Sequence, residues 1–158
     1  MSSRVPMTPE GFRRLQAELA RLKSEERPKI VEDIQAAVAQ GDLSENSEYE
    51  DAKERMNILN HRVGELEDKL ARAEVIDPST LNSEKVCFGA IVQLRDNETE
   101  DEVSYQIVGV DEVDIKAGRI SLASPIARAL MGKKEGDLVR VQVPRGVREL
   151  EVVAIKFK

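Results

Sequence analysis

The stretch Gly41-Asp42-Leu43-Ser44-Glu45-Asn46 separates two long segments in which apolar residues recur at helical spacing. Two such segments joined by a short turn predict an antiparallel helical hairpin. The turn would be the tip of that hairpin, and it carries two carboxylates three positions apart. We therefore interpret Asp42 and Glu45 as the candidate functional pair.

The first predicted helix begins at Thr8-Pro9, because Thr can cap free N–H groups and Pro is tolerated at the first helical position. Its apolar stripe loses phase by one residue near Pro28, as though the helix were locally unwound. We expect a kink there, with a complete break into two helices as the alternative. The stripe consists of Phe12, Leu15, Leu19 and Leu22, and then Ile30, Ile34 and Ala37.

The second predicted helix has the strongest periodicity in the chain, with apolar residues in alternating steps of three and four. A helix of about 30 residues would rise ~45 Å, so the hairpin should form a long rod. These apolar positions are most simply interpreted as the seam between the two helices. They are Tyr49, Ala52, Met56, Leu59, Val63, Leu66, Leu70 and Ala73.

The periodicity changes after Pro78, where a polar run indicates a domain boundary. We predict an N-terminal domain over residues 1–77, a linker over 78–84 and a C-terminal domain over 85–158. The last is expected to contain an antiparallel sheet with one short helix at 124–131, capped by Ser124 and closed by Gly132, which makes the chain an α+β protein. Its predicted strands are Val86–Leu94, Val103–Val110, Ile120–Ala123, Val139–Val143 and Leu150–Phe157.

Composition excludes several classes of protein. The net charge is −6, of which residues 1–77 contribute −5 and residues 78–158 contribute −1. This charge argues against a free-standing binder of duplex DNA or of anionic membranes, and a 3% aromatic content argues against an independent single-strand binder. No stretch has the apolar length of a membrane span. A single cysteine precludes an internal disulfide and suits a reducing cytoplasm.

Few side chains could support catalysis. His61, the sole histidine, lies between seam positions and is expected to be solvated, whereas Cys87 opens an apolar strand and is expected to pack. For Asp42 and Glu45 the structural alternative is a capping box at the start of the second helix. The functional alternative is that they complete a Mg²⁺ site supplied by another molecule, because Mg²⁺ is typically held by one or two carboxylates together with phosphate oxygens.

Two motifs resemble one known family. Residues 41–49, Gly-Asp-Leu-Ser-Glu-Asn-Ser-Glu-Tyr, follow a hairpin that begins with Pro6-Met7-Thr8, and this pattern is similar to the signature of bacterial transcript cleavage factors of the Gre type. Residues 124–133, followed by Gly136-Asp137, resemble the C-terminal domain of the same family. The resemblance covers essentially the whole chain.

The resemblance implies an N-terminal antiparallel coiled coil and a C-terminal domain of FKBP-like fold. The C-terminal domain would dock on RNA polymerase, and the coiled coil would enter its secondary channel. Asp42 and Glu45 would then assist the Mg²⁺ and the attacking water of the polymerase during cleavage of backtracked RNA near its 3′ end. The protein would have no cofactor or tightly bound metal of its own, would not be an enzyme alone, and would be monomeric when free.

Other residues are given supporting roles. We assign Leu43, Ser44, Asn46 and Tyr49 to support of the tip, and Lys53 and Arg55 to possible contact with RNA. The uncharged run at residues 36–40 favours the subtype that releases short fragments, because members that handle longer RNA carry a larger basic patch. The expected polymerase-docking residues are Asp111, Asp114, Ser124, Pro125 and Arg128.

Two alternatives remain open at this point. One is an inhibitor of the same architecture that occupies the secondary channel without promoting cleavage. The other is a coiled-coil chaperone or a prolyl isomerase. The C-terminal half holds only Phe88, Tyr105 and Phe157 as aromatic residues, which is few for an aromatic-lined proline pocket.

Overall fold

A computed structural model describes residues 3–41 and 46–157, and the chain forms two compact units. Residues 12–72 form the first, which we call the helical unit. Residues 3–11 and the chain from Ala73 onward form the second, which we call the sheet unit. The fold is therefore α+β. This division differs from the predicted boundaries because the N-terminal residues belong with the C-terminal part of the chain.

The first helical arm extends from Pro9 to Ala39, and its residues 9–11 belong to the sheet unit. It comprises α1 (Pro9–Arg21), a π-helical turn (Leu22–Glu26) and α2 (Arg27–Ala39). In the π turn the N–H of Arg27 bonds the carbonyl of Leu22, five residues back rather than four. The turn thus accommodates the extra residue that shifts the apolar stripe.

The π turn confirms the predicted local unwinding and excludes a complete break. It ends one residue before Arg27-Pro28, and Pro28 has no N–H and so cannot continue an unmodified α-helical ladder. The residues on both sides of the turn, Arg21 and Arg27, keep right-handed helical angles.

The second arm is α3 (Ser47–Ala71), with 25 residues. It is shorter than predicted because Ala73, counted in the periodic pattern, begins a strand instead. The seam between the arms is a single row of buried apolar side chains, as the spacing predicted. Its members with less than a tenth of their surface exposed are Leu15, Leu22, Ile30, Ala37, Ala52, Leu59, Val63 and Leu66.

Bonds between the arms show that they run antiparallel. Arg62 of α3 pairs with Glu18 of α1 at 2.7 Å, and Arg55 of α3 pairs with Asp33 of α2 at 3.0 Å. As position increases along one arm it decreases along the other. The Arg62 bond also lowers the pKa of Glu18.

The sheet unit begins with a small parallel pair of strands that the sequence patterns did not indicate. Strand β1 (Val5–Met7) pairs with β2 (Ala73–Val75), in the register Val5 opposite Ala73. The pairing continues beyond β2, because the N–H of Ile76 donates to the carbonyl of Met7 at 2.9 Å. Met7 is almost fully buried, which anchors this segment.

The main sheet has five strands in the order β5-β4-β3-β7-β6. One helix, α4 (Pro125–Leu130), belongs to the same unit and is capped by Ser124, as predicted. Two 3₁₀ turns occupy Pro78–Thr80 and Ile115–Ala117. The strands are β3 (Ile91–Asp96), β4 (Glu102–Val108), β5 (Arg119–Ser121), β6 (Leu138–Val143) and β7 (Gly146–Lys156).

Two details of the predicted sheet are wrong. Strand β5 pairs with β4 in parallel, so the sheet is mixed rather than antiparallel. The reason is the connection over residues 109–118, which returns the chain to the level of Gln106 so that β5 runs in the same direction as β4. The run predicted as a strand from Val86 becomes one only at Ile91, because a turn intervenes at Gly89 with a φ of +87°.

The core of the sheet unit lies between one face of the sheet and α4. Ala127 and Leu130 of α4 are fully buried. No helix among the described residues is long and apolar enough to cross a membrane. The sheet residues of the core are Val92, Leu94, Ile107, Ile120, Val139, Val141, Leu150 and Val152.

Candidate functional site

The segment predicted to act, Asp42, Leu43, Ser44 and Glu45, lies outside the described residues. The structure describes the residues at its two ends, which we call the tip base (residues 37–41 and 46–49). On the α2 side the chain turns at Gly41, whose φ is +107°, a value that side chains with a Cβ rarely adopt. The N–H of Gly41 donates to the carbonyl of Val38 at 3.1 Å.

Asn46 forms the other side of the tip base. It is the N-cap of α3, and its Oδ1 accepts a hydrogen bond from the N–H of Tyr49 at 3.1 Å. Its Nδ2 donates to the carbonyl of Ala37 at 2.8 Å. One half-buried amide thus bonds the backbone of both arms. The capping residue of α3 is Asn46 and not Asp42, so a capping box built on Asp42 and Glu45 does not account for the start of this helix.

Small side chains of both arms are buried at and next to the tip base. Ala37 is 1% exposed and Ala52 is fully buried. A second bond between the arms joins Nε2 of Gln40 to a carboxylate oxygen of Glu48 at 3.0 Å, with both side chains exposed. Tyr49, predicted to support the tip, is half-buried on α3.

The two predicted RNA-contacting cations have different surroundings. Nζ of Lys53 lies 5.4 Å from the centre of the Tyr49 ring, within the range of a cation–π interaction. Arg55 is paired with Asp33 at 3.0 Å, and about half of each side chain is exposed. Lys53 is therefore held close to the tip base, whereas the charge of Arg55 is partly balanced by Asp33.

The five predicted docking residues lie on two segments of the sheet unit. Asp114 accepts from the N–H of Ala117 and so caps the 3₁₀ turn, and Ser124 accepts from the N–H of Ala127 at 3.2 Å. These two residues have structural roles. Asp111, Pro125 and Arg128 are exposed.

Apolar side chains also project from the segment that contains Asp111 and Asp114. Val110, Val113 and Ile115 are 50%, 43% and 71% exposed. Sequence reasoning selected the acidic residues here and missed these neighbours. Their type gave no signal, because a Val or Ile in a short polar loop is equally compatible with burial.

A buried carboxylate, Glu112, lies at the base of the same segment and was also missed. It is 4% exposed and accepts hydrogen bonds at 3.0 Å from the backbone N–H groups of Thr8 and Gly109. It also bonds the hydroxyl of Thr8, and Arg119 lies 3.5 Å away. The hydroxyl of Thr8 in turn accepts from the N–H of Gly11 and caps α1, as predicted for Thr8.

Two glycines leave room for Glu112. A Cβ on Gly11 would lie 2.3 Å from the carboxyl carbon of Glu112, and one on Gly109 would lie 2.8 Å from a carboxylate oxygen. The sequence Asp111-Glu112-Val113 resembles an exposed acidic loop. The contacts of Glu112 with Thr8, more than a hundred residues away along the chain, are not indicated by this local sequence.

The other candidate reactive groups have ordinary surroundings. His61 is exposed on α3, as expected. Cys87 is half-buried, and burial raises the pKa of its thiol, which disfavours the nucleophilic thiolate. Within residues 3–41 and 46–157, no cluster of three or more His, Cys, Asp or Glu side chains could hold a metal ion.

Comparison with known proteins identifies the family. Residues 5–75 match the N-terminal model of the GreA/GreB transcription elongation factors, and residues 81–157 match the C-terminal model. Transcription elongation factor GreA of Hyphomonas neptunium is 56% identical over 155 residues, which span 98% of this chain and 99% of that protein. The chain belongs to the GreA/GreB family of transcription elongation factors.

Further GreA/GreB relatives match over the same extent. Transcription elongation factor GreA of Acidiphilium cryptum is 54% identical, with 98% of each chain covered. Among solved structures, GreA factor homolog 1 of Thermus thermophilus is 30% identical over 96% of this chain and 98% of that chain, with a TM-score of 0.45. The assignment to the GreA/GreB family rests on the sequence matches.

Proposed function

We propose that this protein stimulates the cleavage of backtracked RNA by RNA polymerase and so rescues arrested elongation complexes. The observation that carries the proposal is the presence of Asp42 and Glu45 between two paired helical arms, in a chain that matches a transcription elongation factor over 98% of its residues. Asn46 already caps α3, so the two acids are not required for that purpose.

The two acids would act in the active centre of the polymerase rather than in a site of their own. A Mg²⁺ ion held there would polarise the scissile phosphate and activate water. Asp42 and Glu45 would supply carboxylate oxygens beside that ion, and one of them would orient or deprotonate the attacking water. Without the polymerase the protein would be neither an enzyme nor a tight metal binder.

The helical unit suits entry into a channel. Its first arm, residues 12–39, is helical and corresponds to about 42 Å at 1.5 Å per residue. We propose that the two arms form a coiled coil that enters the secondary channel of the polymerase. The sheet unit, for which we propose an FKBP-like fold, would dock near the channel entrance through Asp111, Asp114, Ser124, Pro125 and Arg128.

Lys53 is the stronger candidate for contact with the RNA 3′ end, because its charge lies beside the tip base while Arg55 is paired with Asp33. One such cation is a small basic surface, which favours release of short fragments. A factor of this kind would act as a monomer in the bacterial cytoplasm, where RNA polymerase is found.

Packing disfavours the isomerase alternative. Phe88 is buried, and Tyr105 and Phe157 pack against the core of the sheet unit, so these rings are engaged with the core rather than lining an open pocket. A hollow of about 250 Å³ on the sheet is lined by Ile91, Gln93, Ser104, Ala154 and Lys156, none of which is aromatic.

The test uses stalled elongation complexes carrying labelled RNA, incubated with the wild-type protein, Asp42→Asn, Glu45→Gln and the control Glu50→Gln. Glu50 is an exposed acid in the first turn of α3. We expect the wild type and the control to shorten the RNA, and the first two variants to lose stimulated cleavage. Polymerase binding should be unchanged in all four, because docking is assigned to the sheet unit.

Three outcomes would contradict the proposal. Increased pausing without cleavage by the wild type would identify an inhibitor. Full activity of both Asp42→Asn and Glu45→Gln would show that the acids are not used. Loss of polymerase binding in these variants would place the docking surface at the tip.

A further inference from the structure

Both polar atoms of the Asn46 side chain are used, and each bonds the backbone of a different arm. The Oδ1 atom accepts from the N–H of Tyr49 on α3, and the Nδ2 atom donates to the carbonyl of Ala37 on α2. This orientation of the amide is the one that pairs a donor with an acceptor at both ends. We propose that Asn46 is a positioning residue that fixes the end of α2 and the start of α3 relative to one another.

The bond to Ala37 uses a carbonyl at the end of a helix, where carbonyls lack partners further along the helix. The same oxygen also accepts from the N–H of Gln40 at 3.2 Å. The end of α2 is therefore held both by its own last turn and by a side chain from the start of α3. Backbone bonds to both arms fix the helices themselves, whereas the exposed bond of Gln40 to Glu48 joins only two side chains.

This inference rests on the proposed function, because a fixed separation of the two chain ends has a consequence only if the acids between them must reach a set position. Glu45 directly precedes Asn46, and Asp42 directly follows Gly41. Catalytic groups displaced by about 1 Å can lose about a hundredfold in rate. The two hydrogen bonds of Asn46, which connect the arms, limit such displacement.

A simple capping role makes different predictions from a positioning role. Ser and Asp are as effective as Asn at an N-cap, because capping requires only an acceptor oxygen. An ionised Asp has no donor, and the hydroxyl of Ser is one bond shorter than the Asn amide, so neither replaces Nδ2 as the donor to the Ala37 carbonyl. Replacement by Ser or Asp therefore keeps the cap of α3 and removes the bond to α2.

The experiment compares the wild type with Asn46→Ser, Asn46→Asp and the matched control Gln40→Ala, which removes the neighbouring exposed bond. Cleavage of backtracked RNA is measured against factor concentration, so that the rate at saturation and the half-saturating concentration are obtained separately. Melting temperatures are measured in parallel.

For both Asn46 variants we expect a fall of about tenfold or more in the saturating rate, with the half-saturating concentration and the melting temperature close to those of the wild type. The control should retain its rate within about twofold, as expected for the loss of an exposed bond. Wild-type rates in both Asn46 variants would overturn the inference. So would a fall confined to Asn46→Asp, since that would be an effect of added charge.

A second measurement does not depend on cleavage. Spin labels are attached at Val38→Cys and Asp51→Cys in a Cys87→Ser background, and Val38 and Asp51 are both exposed. We expect a narrow distance distribution that broadens on Asn46→Ser and stays narrow on Gln40→Ala. An unchanged distribution in Asn46→Ser would overturn the inference. If it broadens while the wild type fails to stimulate cleavage, the proposed function fails and the structural role of Asn46 stands.

Discussion

The helical unit and the sheet unit are stabilised by different kinds of interaction. The helical unit buries one row of apolar side chains, and its polar bonds between arms lie mostly at the surface, as for Arg55 and Asp33. The sheet unit has a core packed between its sheet and α4, and it also buries a charged group, Glu112. Single polar substitutions should therefore cost little stability in the helical unit and much more at Glu112 of the sheet unit.

The largest effect is expected for Glu112→Ala. The change leaves the N–H groups of Thr8 and Gly109 and the Arg119 side chain without the carboxylate that they share, and breaking a buried pair in this way costs about 3 kcal/mol. Chemical denaturation should show this loss, and hydrogen exchange should localise it to the sheet unit.

The matched control is Glu151→Gln, which breaks the partly exposed pair with Arg95 in the same unit. That loss should stay below about 1 kcal/mol. Equal effects of the two changes would remove the contrast between buried and exposed charge.

The next effect concerns two helical glycines and has opposite signs in the two units. Gly11→Ala, in the first turn of α1, should destabilise by about 1–3 kcal/mol because its Cβ would displace the held carboxylate of Glu112. Gly64→Ala, in α3, should stabilise by about 0.5–1 kcal/mol, because nothing lies within 4 Å of its Cβ and Ala favours the helix. Thermal melts of both variants test whether the first change lowers the melting temperature and the second raises it. Stabilisation by Gly11→Ala would show that Glu112 moves aside easily.

A smaller effect on stability is expected for Asp96→Asn, and it depends on pH. The N–H of Glu98, with help from Thr99 and Arg148, lowers the pKa of Asp96 below its ordinary value of 3.8. Since the folded state favours the carboxylate, Asp96 contributes stability above about pH 4, and this is lost as pH falls through the lowered pKa. Asp96→Asn should therefore weaken the sheet unit at neutral pH and flatten its acid dependence.

In the helical unit, the pKa of Glu18 is also lowered, and the largest cause is its hydrogen bond with Arg62. Hydrogen exchange at several acidic pH values should show that Asp96→Asn changes the profile of the sheet unit alone. A parallel change in the helical unit would mean that the two units do not respond to acid separately.

The smallest effect is expected for Asp33→Asn, which breaks the exposed pair with Arg55. Stability should change by no more than about 0.5 kcal/mol in a thermal melt. A loss of stability comparable to that of Glu112→Ala would show that the surface ion pairs contribute most of the stability of the helical unit.

The sequence predicted best what depends on local spacing. The phase shift before Ile30 correctly indicated local unwinding, because a π turn inserts one residue into an otherwise regular stripe. Thr8 and Ser124 were correctly identified as caps from their types and positions. Such features depend on residues within one or two turns of each other.

What the sequence did not indicate depends on contacts between distant segments. Examples are the parallel strand pairs β1–β2 and β4–β5, because no local pattern specifies which two strands pair. The burial of Glu112 is another, because it depends on contacts with Thr8. For the candidate site, Asn46 was predicted to support the tip, but the sequence did not indicate its bond to Ala37, which joins residues of different arms. The predicted roles of Asp42 and Glu45 remain predictions.

The pairing of β1 with β2 has a topological consequence. The two strands lie side by side, yet about 60 residues separate Gly11 from Ala73 along the chain, and all of them belong to the helical unit. The helical unit is thus an insertion whose entry and exit points are adjacent. Closing a loop of that length costs conformational entropy. Antiparallel pairing of the two arms brings the ends of the loop together before β1 and β2 pair. We expect the arms to form first and the two-stranded sheet of β1 and β2 to form last.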